Sequence, residues 1–134
     1  WWEGEPITFA GLQRGIVRAA ARLAASGGPG DRVAVLSFNC PAFVELLYAV
    51  PAAGRILVPL NARLAPAELA FQMRCAGVTR LFGDPALLAP LRAHADFPAA
   101  LPTVALTDEY AAWLDAGALA PLPATAPADP VWIL

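Results

Sequence analysis

The sequence predicts an α/β fold in which a mostly parallel sheet carries helices on both faces. Short apolar runs alternate with segments of helical periodicity, and the apolar runs lack the polar alternation of a half-exposed strand. Strands and helices in this order form βαβ units, whose crossovers cover the sheet. The length of 134 residues suits one domain whose core needs no disulfide or metal.

The first helix is predicted to begin after Thr8, whose hydroxyl can cap it. Arg14, Arg18 and Arg22 share one face, which we interpret as solvated rather than as an anion-binding stripe. Like charges at this spacing cost only ~0.2–0.5 kcal/mol per pair. The opposite face is predicted to be buried, because its apolar residues recur at helical spacing: Phe9, Leu12, Ile16, Ala19, Ala20 and Leu23.

A strand covered on both faces is predicted at residues 33–37. Pro41 opens the second helix, where its missing N–H costs little, with Asn39 or Cys40 as N-cap. This helix is apolar on nearly all sides, which predicts deep burial between layers. Pro51 is expected to kink or end it.

Further strands are predicted at residues 56–60, 78–82 and 103–106. Pro59 restricts the first of these to a sheet edge or to its own last residues. Helices are predicted to start at Pro66, at Pro85 and at Asp108 as N-cap. The second of these three helices is predicted to turn Leu87, Leu88, Leu91 and Ala95 inward.

Residues 118–130 are rich in Ala and Pro and predict a linker, which leads into an apolar run at residues 131–134. That run has strand chemistry and no turn after it. We therefore expect residues 1–134 to be a subdomain of a longer protein, cut within a strand. The exposed apolar face should then promote self-association, for which light scattering at high concentration is the test.

Composition excludes several classes of protein. A net charge of -2 without a basic run disfavours a nucleic-acid partner. All nine basic residues are Arg, so no chemistry that needs a lysine is complete here. The longest uncharged stretch has about 13 residues, too short for a membrane span. Cys40 and Cys75 are predicted to be buried reduced thiols of a cytoplasmic protein.

No complete active site is visible in the residues. Gly27–Gly30 follow a helix and precede a strand, the reverse of a phosphate-binding loop, and are interpreted as a turn. The ligand positions of such folds are the strand-to-helix junctions, at residues 37–41, 61–66 and 83–85. His94 is the only histidine and is interpreted as a surface residue.

Five segments together resemble the N-terminal part of the adenylate-forming (AMP-binding) superfamily. Their order and spacing are similar to those of its acyl-CoA synthetase branch, which has Asn rather than Asp at the position of Asn61. Three positions depart from the family pattern: Gly11 replaces the usual Glu, Pro51 a helix former and Arg55 the usual Ala. The segments are residues 7–12, 30–36, 39–50, 53–64 and 66–69.

The resemblance implies a two-step ligation. A carboxylate attacks MgATP to give an acyl-adenylate and pyrophosphate, and the thiol of coenzyme A then displaces AMP. In the family the nucleotide loop follows the strand that residues 131–134 resemble, and the catalytic lysine lies in a distant domain. The cofactors ATP, Mg and coenzyme A therefore belong to the longer enzyme. None is expected to bind this fragment, which should be inactive and lack micromolar ATP affinity in a titration.

Asn61, Ala62 and Arg63 are the candidate site residues, because in the family the turn after the second strand lies near the coenzyme A channel. Arg63 is then a candidate for a phosphate of the coenzyme, with a surface Arg at a subdomain boundary as the alternative. The partners implied are the other subdomains and a small carboxylic acid. Two alternatives stay open: a peptide-synthetase adenylation domain and a free-standing flavodoxin-like binding module.

Overall fold

The computed structural model describes residues 2–116, 120–126 and 128–132, and within them helices and strands alternate as predicted. This order confirms the α/β class. Pro at the first helical position and a β-region N-cap begin α2, α3 and α4, as their sequences indicate. The elements are α1 Phe9–Ala25, β1 Arg32–Leu36, α2 Pro41–Ala52, β2 Ile56–Pro59, α3 Pro66–Ala76, β3 Val78–Gly83, α4 Pro85–Arg92, β4 Thr103–Ala105 and α5 Asp108–Asp115.

The four strands form one parallel sheet in the order β2-β1-β3-β4. Val33 of β1 pairs with Leu57 on one side and Arg80 on the other. Pro59 is the last residue of β2, which has no second neighbour among the four strands, as predicted. An isolated parallel bridge joins Leu57 to Trp132, so the chain begins to pair with the free edge of β2.

Helices cover both faces of the sheet, which confirms the predicted layering. One core lies under α1, α2 and α5 and the other under α3 and α4. Alternate residues of β1 point into the two cores, Val33 and Val35 into the first and Ala34 and Leu36 into the second. Phe82 anchors the first core, edge-on to the rings of Tyr110 and Trp113.

Three predictions about the helices are wrong. Phe9 is 93% exposed, because it lies in the first turn of α1. The second helix is not buried on all sides: Leu46, Ala49 and Val50 face the core, whereas Tyr48 is exposed. Thr107 rather than Asp108 caps α5, accepting a hydrogen bond from the Glu109 N–H. Phe9 and Tyr48 show that an apolar residue of a helix is buried only where another part of the fold covers it.

Two further corrections concern side-chain burial. Ala95 lies beyond the end of α4 and is exposed, because the helix stops at Arg92. The cysteines are free but not buried, since Cys75 is exposed and Cys40 is half-buried. Pro51 lies within the last turn of α2, and the helix ends one residue later.

The predicted linker and final strand lie partly outside the described residues, which omit 117–119, 127 and 133–134. The described residues 120–126 run along the amino edge of the sheet. The Ala120 N–H donates to the Ala21 carbonyl at 3.1 Å, and the Leu57 N–H donates to the Val131 carbonyl at 2.8 Å. This part of the chain therefore packs against α1 and β2.

Candidate functional site

The carboxyl ends of β1 and β2 place the predicted site residues in one cleft. Both strands are parallel neighbours, so the loops that follow them meet at the same edge of the sheet. The Leu60 N–H donates to the Val35 carbonyl at 2.9 Å and fixes the second loop against the first strand. The cleft has a volume of about 260 Å³ and is lined by Ser37, Phe38, Asn39, Phe43, Pro59, Leu60, Asn61, Ala62 and Arg63.

Asn61 builds the turn that presents Arg63. Its side-chain oxygen accepts a hydrogen bond from the Arg63 N–H at 3.0 Å, and its carbonyl accepts one from the Leu64 N–H at 3.1 Å. Asn favours this geometry because its side chain can bond to the backbone two residues on. Ala62 is half-buried, whereas Arg63 is exposed. The turn thus leaves a guanidinium at the mouth of the cleft.

A second cleft of about 440 Å³ lies beside the first, where β1, β3 and β4 end. It contains the N-caps of three helices, Cys40, Asp84 and Thr107. Each of these side chains accepts a hydrogen bond from its own helix: the Phe43, Ala86 and Glu109 N–H groups are the donors. These three side chains therefore have a structural role as helix caps.

Tyr110 lines this second cleft and joins α5 to α2. It is buried, and its hydroxyl donates a hydrogen bond of 3.0 Å to Glu45 Oε2. Burial, together with the neighbouring Glu45 carboxylate, raises the pKa of Tyr110, so the phenol stays protonated. Burial also raises the pKa of Glu45, against the lowering effects of the Tyr110 hydrogen bond and of Arg18.

Arg14 and Arg18 of α1 are exposed as the sequence predicts, whereas Arg22 is half-buried, which corrects the interpretation at that one position. Arg18 forms an ion pair with Asp115 of α5. The Arg22 Nε–H donates to the Trp113 carbonyl at 3.0 Å, and its guanidinium lies over the Trp113 ring. Both contacts hold α5 beside α1.

Sequence reasoning missed Glu45 and Arg55 as polar groups of the interior. Arg55 is 2% exposed and donates to the Leu23 carbonyl, while its Nη1 lies 3.5 Å from Asp31 Oδ2. The available signals were a single carboxylate in an otherwise apolar helix and a departure from the family's usual Ala. Both signals mark a charged residue in an apolar segment, and such a residue is stable inside the fold only when it has a hydrogen-bond or ion-pair partner.

Other candidates have local structural roles. Gly27–Gly30 form the turn between α1 and β1, with Gly30 at a φ of 79°. His94 is half-buried after α4, where its Nδ1 accepts a hydrogen bond from the Asp96 N–H at 3.3 Å.

The described part of the chain holds no group of three side chains suited to a metal. It also contains no helix long and apolar enough to cross a bilayer.

Comparison with known proteins establishes the family. The model of the AMP-binding enzyme family matches residues 1–134, so the chain belongs to that family. It is 40% identical over 114 residues to a feruloyl-CoA synthase of Amycolatopsis sp, covering 84% of this chain and 22% of the relative. A fatty acid–[acyl-carrier-protein] ligase ScoC of Streptomyces coeruleorubidus is 35% identical, over 83% of this chain and 21% of that protein.

Solved structures give the same result. The N-terminal domain of FACL13 from Mycobacterium tuberculosis superposes with a TM-score of 0.80 at 30% identity, over 95% of this chain and 34% of that domain. A Mycobacterium tuberculosis fatty acyl CoA synthetase superposes with a TM-score of 0.78 at 29% identity, over 94% of this chain and 26% of that one. The chain therefore has the fold of the N-terminal subdomain of adenylate-forming enzymes and spans about a fifth of the curated relatives' length.

Proposed function

We propose that this chain is the N-terminal part of an AMP-forming acyl-CoA synthetase. Such an enzyme joins a carboxylic acid to coenzyme A, and consumes ATP to release AMP and pyrophosphate. The observation that supports the proposal most is the turn at Asn61–Arg63, which lies at the ligand-binding edge of a chain similar to named CoA synthetases. An apolar acid is the proposed substrate class, and its identity depends on residues beyond this segment.

The residues present divide unequally between the cofactors. ATP and Mg do not fit the residues present, because the sequence has no lysine and the described residues include no carboxylate cluster that could hold the metal. Coenzyme A fits better, because Arg63 offers an exposed planar guanidinium, which suits a phosphate oxygen. In this proposal Arg63 binds a coenzyme phosphate and Asn61 holds its backbone in place.

Replacement of Arg63 by Gln tests this assignment in the complete enzyme. We expect the KM for coenzyme A to rise about tenfold, the equivalent of ~1.4 kcal/mol for one charge-assisted contact, with the KM for ATP unchanged. Arg14→Gln, which removes an exposed arginine of α1, serves as the matched control and should leave both constants unchanged. Equal KM values for coenzyme A in the wild type and Arg63→Gln would remove Arg63 from the site.

A carrier-protein thiol is the second candidate acceptor, because one relative is named a fatty acid–[acyl-carrier-protein] ligase. We expect the complete enzyme to form thioester with free coenzyme A, measured by mass spectrometry of the acyl product. A thioester formed only on the pantetheine arm of a carrier protein would favour the alternative and reject the CoA assignment. The comparisons do not favour a free-standing flavodoxin-like module.

The proposed location is the cytoplasm, where ATP and coenzyme A are available and where thiols remain reduced. The exposed free thiol of Cys75 suits such a compartment. The proposed partners are the remaining subdomains of the same enzyme.

A further inference from the structure

A row of charged residues crosses the amino edge of the sheet, opposite the cleft of the proposed coenzyme. Three strand residues, one each from β2, β1 and β3, point into the core under α1, α2 and α5. Two residues before each of them along the chain lies a charged residue, in the same order Arg55, Asp31 and Arg80. Their strands are adjacent, since β1 lies between β2 and β3. The Ile56 N–H donates to the Asp31 carbonyl at 3.0 Å, which sets the first two side by side. The row therefore alternates Arg, Asp and Arg on one face.

The central carboxylate is already committed. Asp31 Oδ2 accepts the Gly28 N–H at 2.9 Å and lies 3.5 Å from Arg55 Nη1. Arg55 is only 2% exposed. Its Nε–H has no hydrogen-bond partner in the described part of the chain. The Leu23 carbonyl near the end of α1 accepts a hydrogen bond from Arg55 Nη2. One carboxylate and one carbonyl thus serve Arg55 without exhausting its donors.

Arg80 forms no ion pair with the described residues, although Asp31 lies near enough to act on its charge. It is half-buried, and the ion pairs of residues 2–116, 120–126 and 128–132 are Arg18 with Asp115 and Arg55 with Asp31. Burial lowers the pKa of Arg80, as does the nearby charge of Arg22, whereas Asp31 raises it. The two guanidinium groups of the row therefore share one carboxylate, and the row has a net positive charge.

We propose that this edge of the sheet is an anion site, in which the Arg80 guanidinium binds a phosphate-type oxyanion in front of the Arg55–Asp31 pair. A guanidinium binds such an oxyanion through two parallel N–H donors, and partial burial strengthens the attraction. Nothing in the proposed CoA ligation uses this edge, so the anion site stands or fails independently of that function.

The test is a calorimetric titration of the protein with inorganic phosphate at fixed ionic strength, with sodium chloride as the reference anion. We expect saturable binding of phosphate, which Arg80→Gln weakens about tenfold, the loss of one charge-assisted contact. Arg74→Gln is the matched control: it removes an exposed arginine of α3, which lies over the Phe71 ring, and should leave phosphate affinity unchanged. Titration with methyl phosphate, a phosphate ester that is no product of the proposed ligation, distinguishes a free phosphate from a phosphate ester as the bound anion.

A second measurement needs no variant. In a ¹⁵N spectrum of the wild type, phosphate should shift the Arg80 Nε–H resonance saturably and leave that of Arg74 in place. The proposal is overturned if chloride reproduces the effect, or if phosphate leaves the Arg80 resonance unmoved. Wild-type affinity in a folded Arg80→Gln would overturn it equally.

Discussion

Arg55→Ala is expected to lower the free energy of unfolding by about 2–4 kcal/mol, somewhat less than the ~3–5 kcal/mol for breaking a fully buried ion pair. The change leaves the Leu23 carbonyl without its guanidinium donor and opens a cavity beneath the end of α1. The smaller figure applies because the Asp31 side chain is 33% exposed and can turn to water. Urea unfolding followed by tryptophan fluorescence measures the loss.

Two variants separate charge from volume at this position. Arg55→Met fills most of the space and should cost less than Arg55→Ala. Asp31→Asn combined with Arg55→Ala should cost less than the sum of the single changes, because the two side chains share one interaction. Stability within about 0.5 kcal/mol of wild type, the range of ordinary surface changes, would contradict a structural role for Arg55.

Gly15→Ala is expected to destabilise the protein by about 1–2 kcal/mol, although alanine ordinarily stabilises a helix interior by about 0.5–1 kcal/mol. A Cβ at Gly15 would overlap the Glu45 carboxylate, whose Oε2 would be 2.9 Å away. Moving that carboxylate removes the acceptor of the buried Tyr110 hydroxyl. Thermal unfolding of the two proteins measures the difference.

The same substitution should change sign when Glu45 is absent. In a Glu45→Ala background the overlap disappears, so Gly15→Ala should stabilise by its helix propensity, up to about 1 kcal/mol. A destabilising effect of equal size in both backgrounds would show that Glu45 is not the obstacle.

Glu45 also predicts the sign of a pH effect. Its folded pKa lies above its unfolded value of 4.5, so its contribution to stability is complete below that value and is lost as the pH rises through the folded pKa. Glu45→Ala should remove this part of the pH dependence.

The architecture followed from local chemistry. Gly77 at a φ of 64° ends α3, and Asp84 caps α4, as their residue types predict. Pro59 restricts β2 to a sheet edge or to its own last residues, and in the structure Pro59 ends a strand at the edge of the four. The turn residues Asn61, Ala62 and Arg63 came from the family resemblance, and the structure places them in one cleft. Their role with coenzyme A stays a prediction.

The residues of the chain were enough to predict the helices and strands and their order, because caps, prolines and apolar runs act over a few residues. The contacts between polar side chains, by contrast, depend on how the helices and strands pack together. Glu45 and Tyr110 are far apart in the chain, as are Asp31, Arg55 and Arg80, and they come together only when the strand order and the helix layers are fixed. A buried charge is satisfied by whichever group the fold brings to it, and no local pattern records that partner.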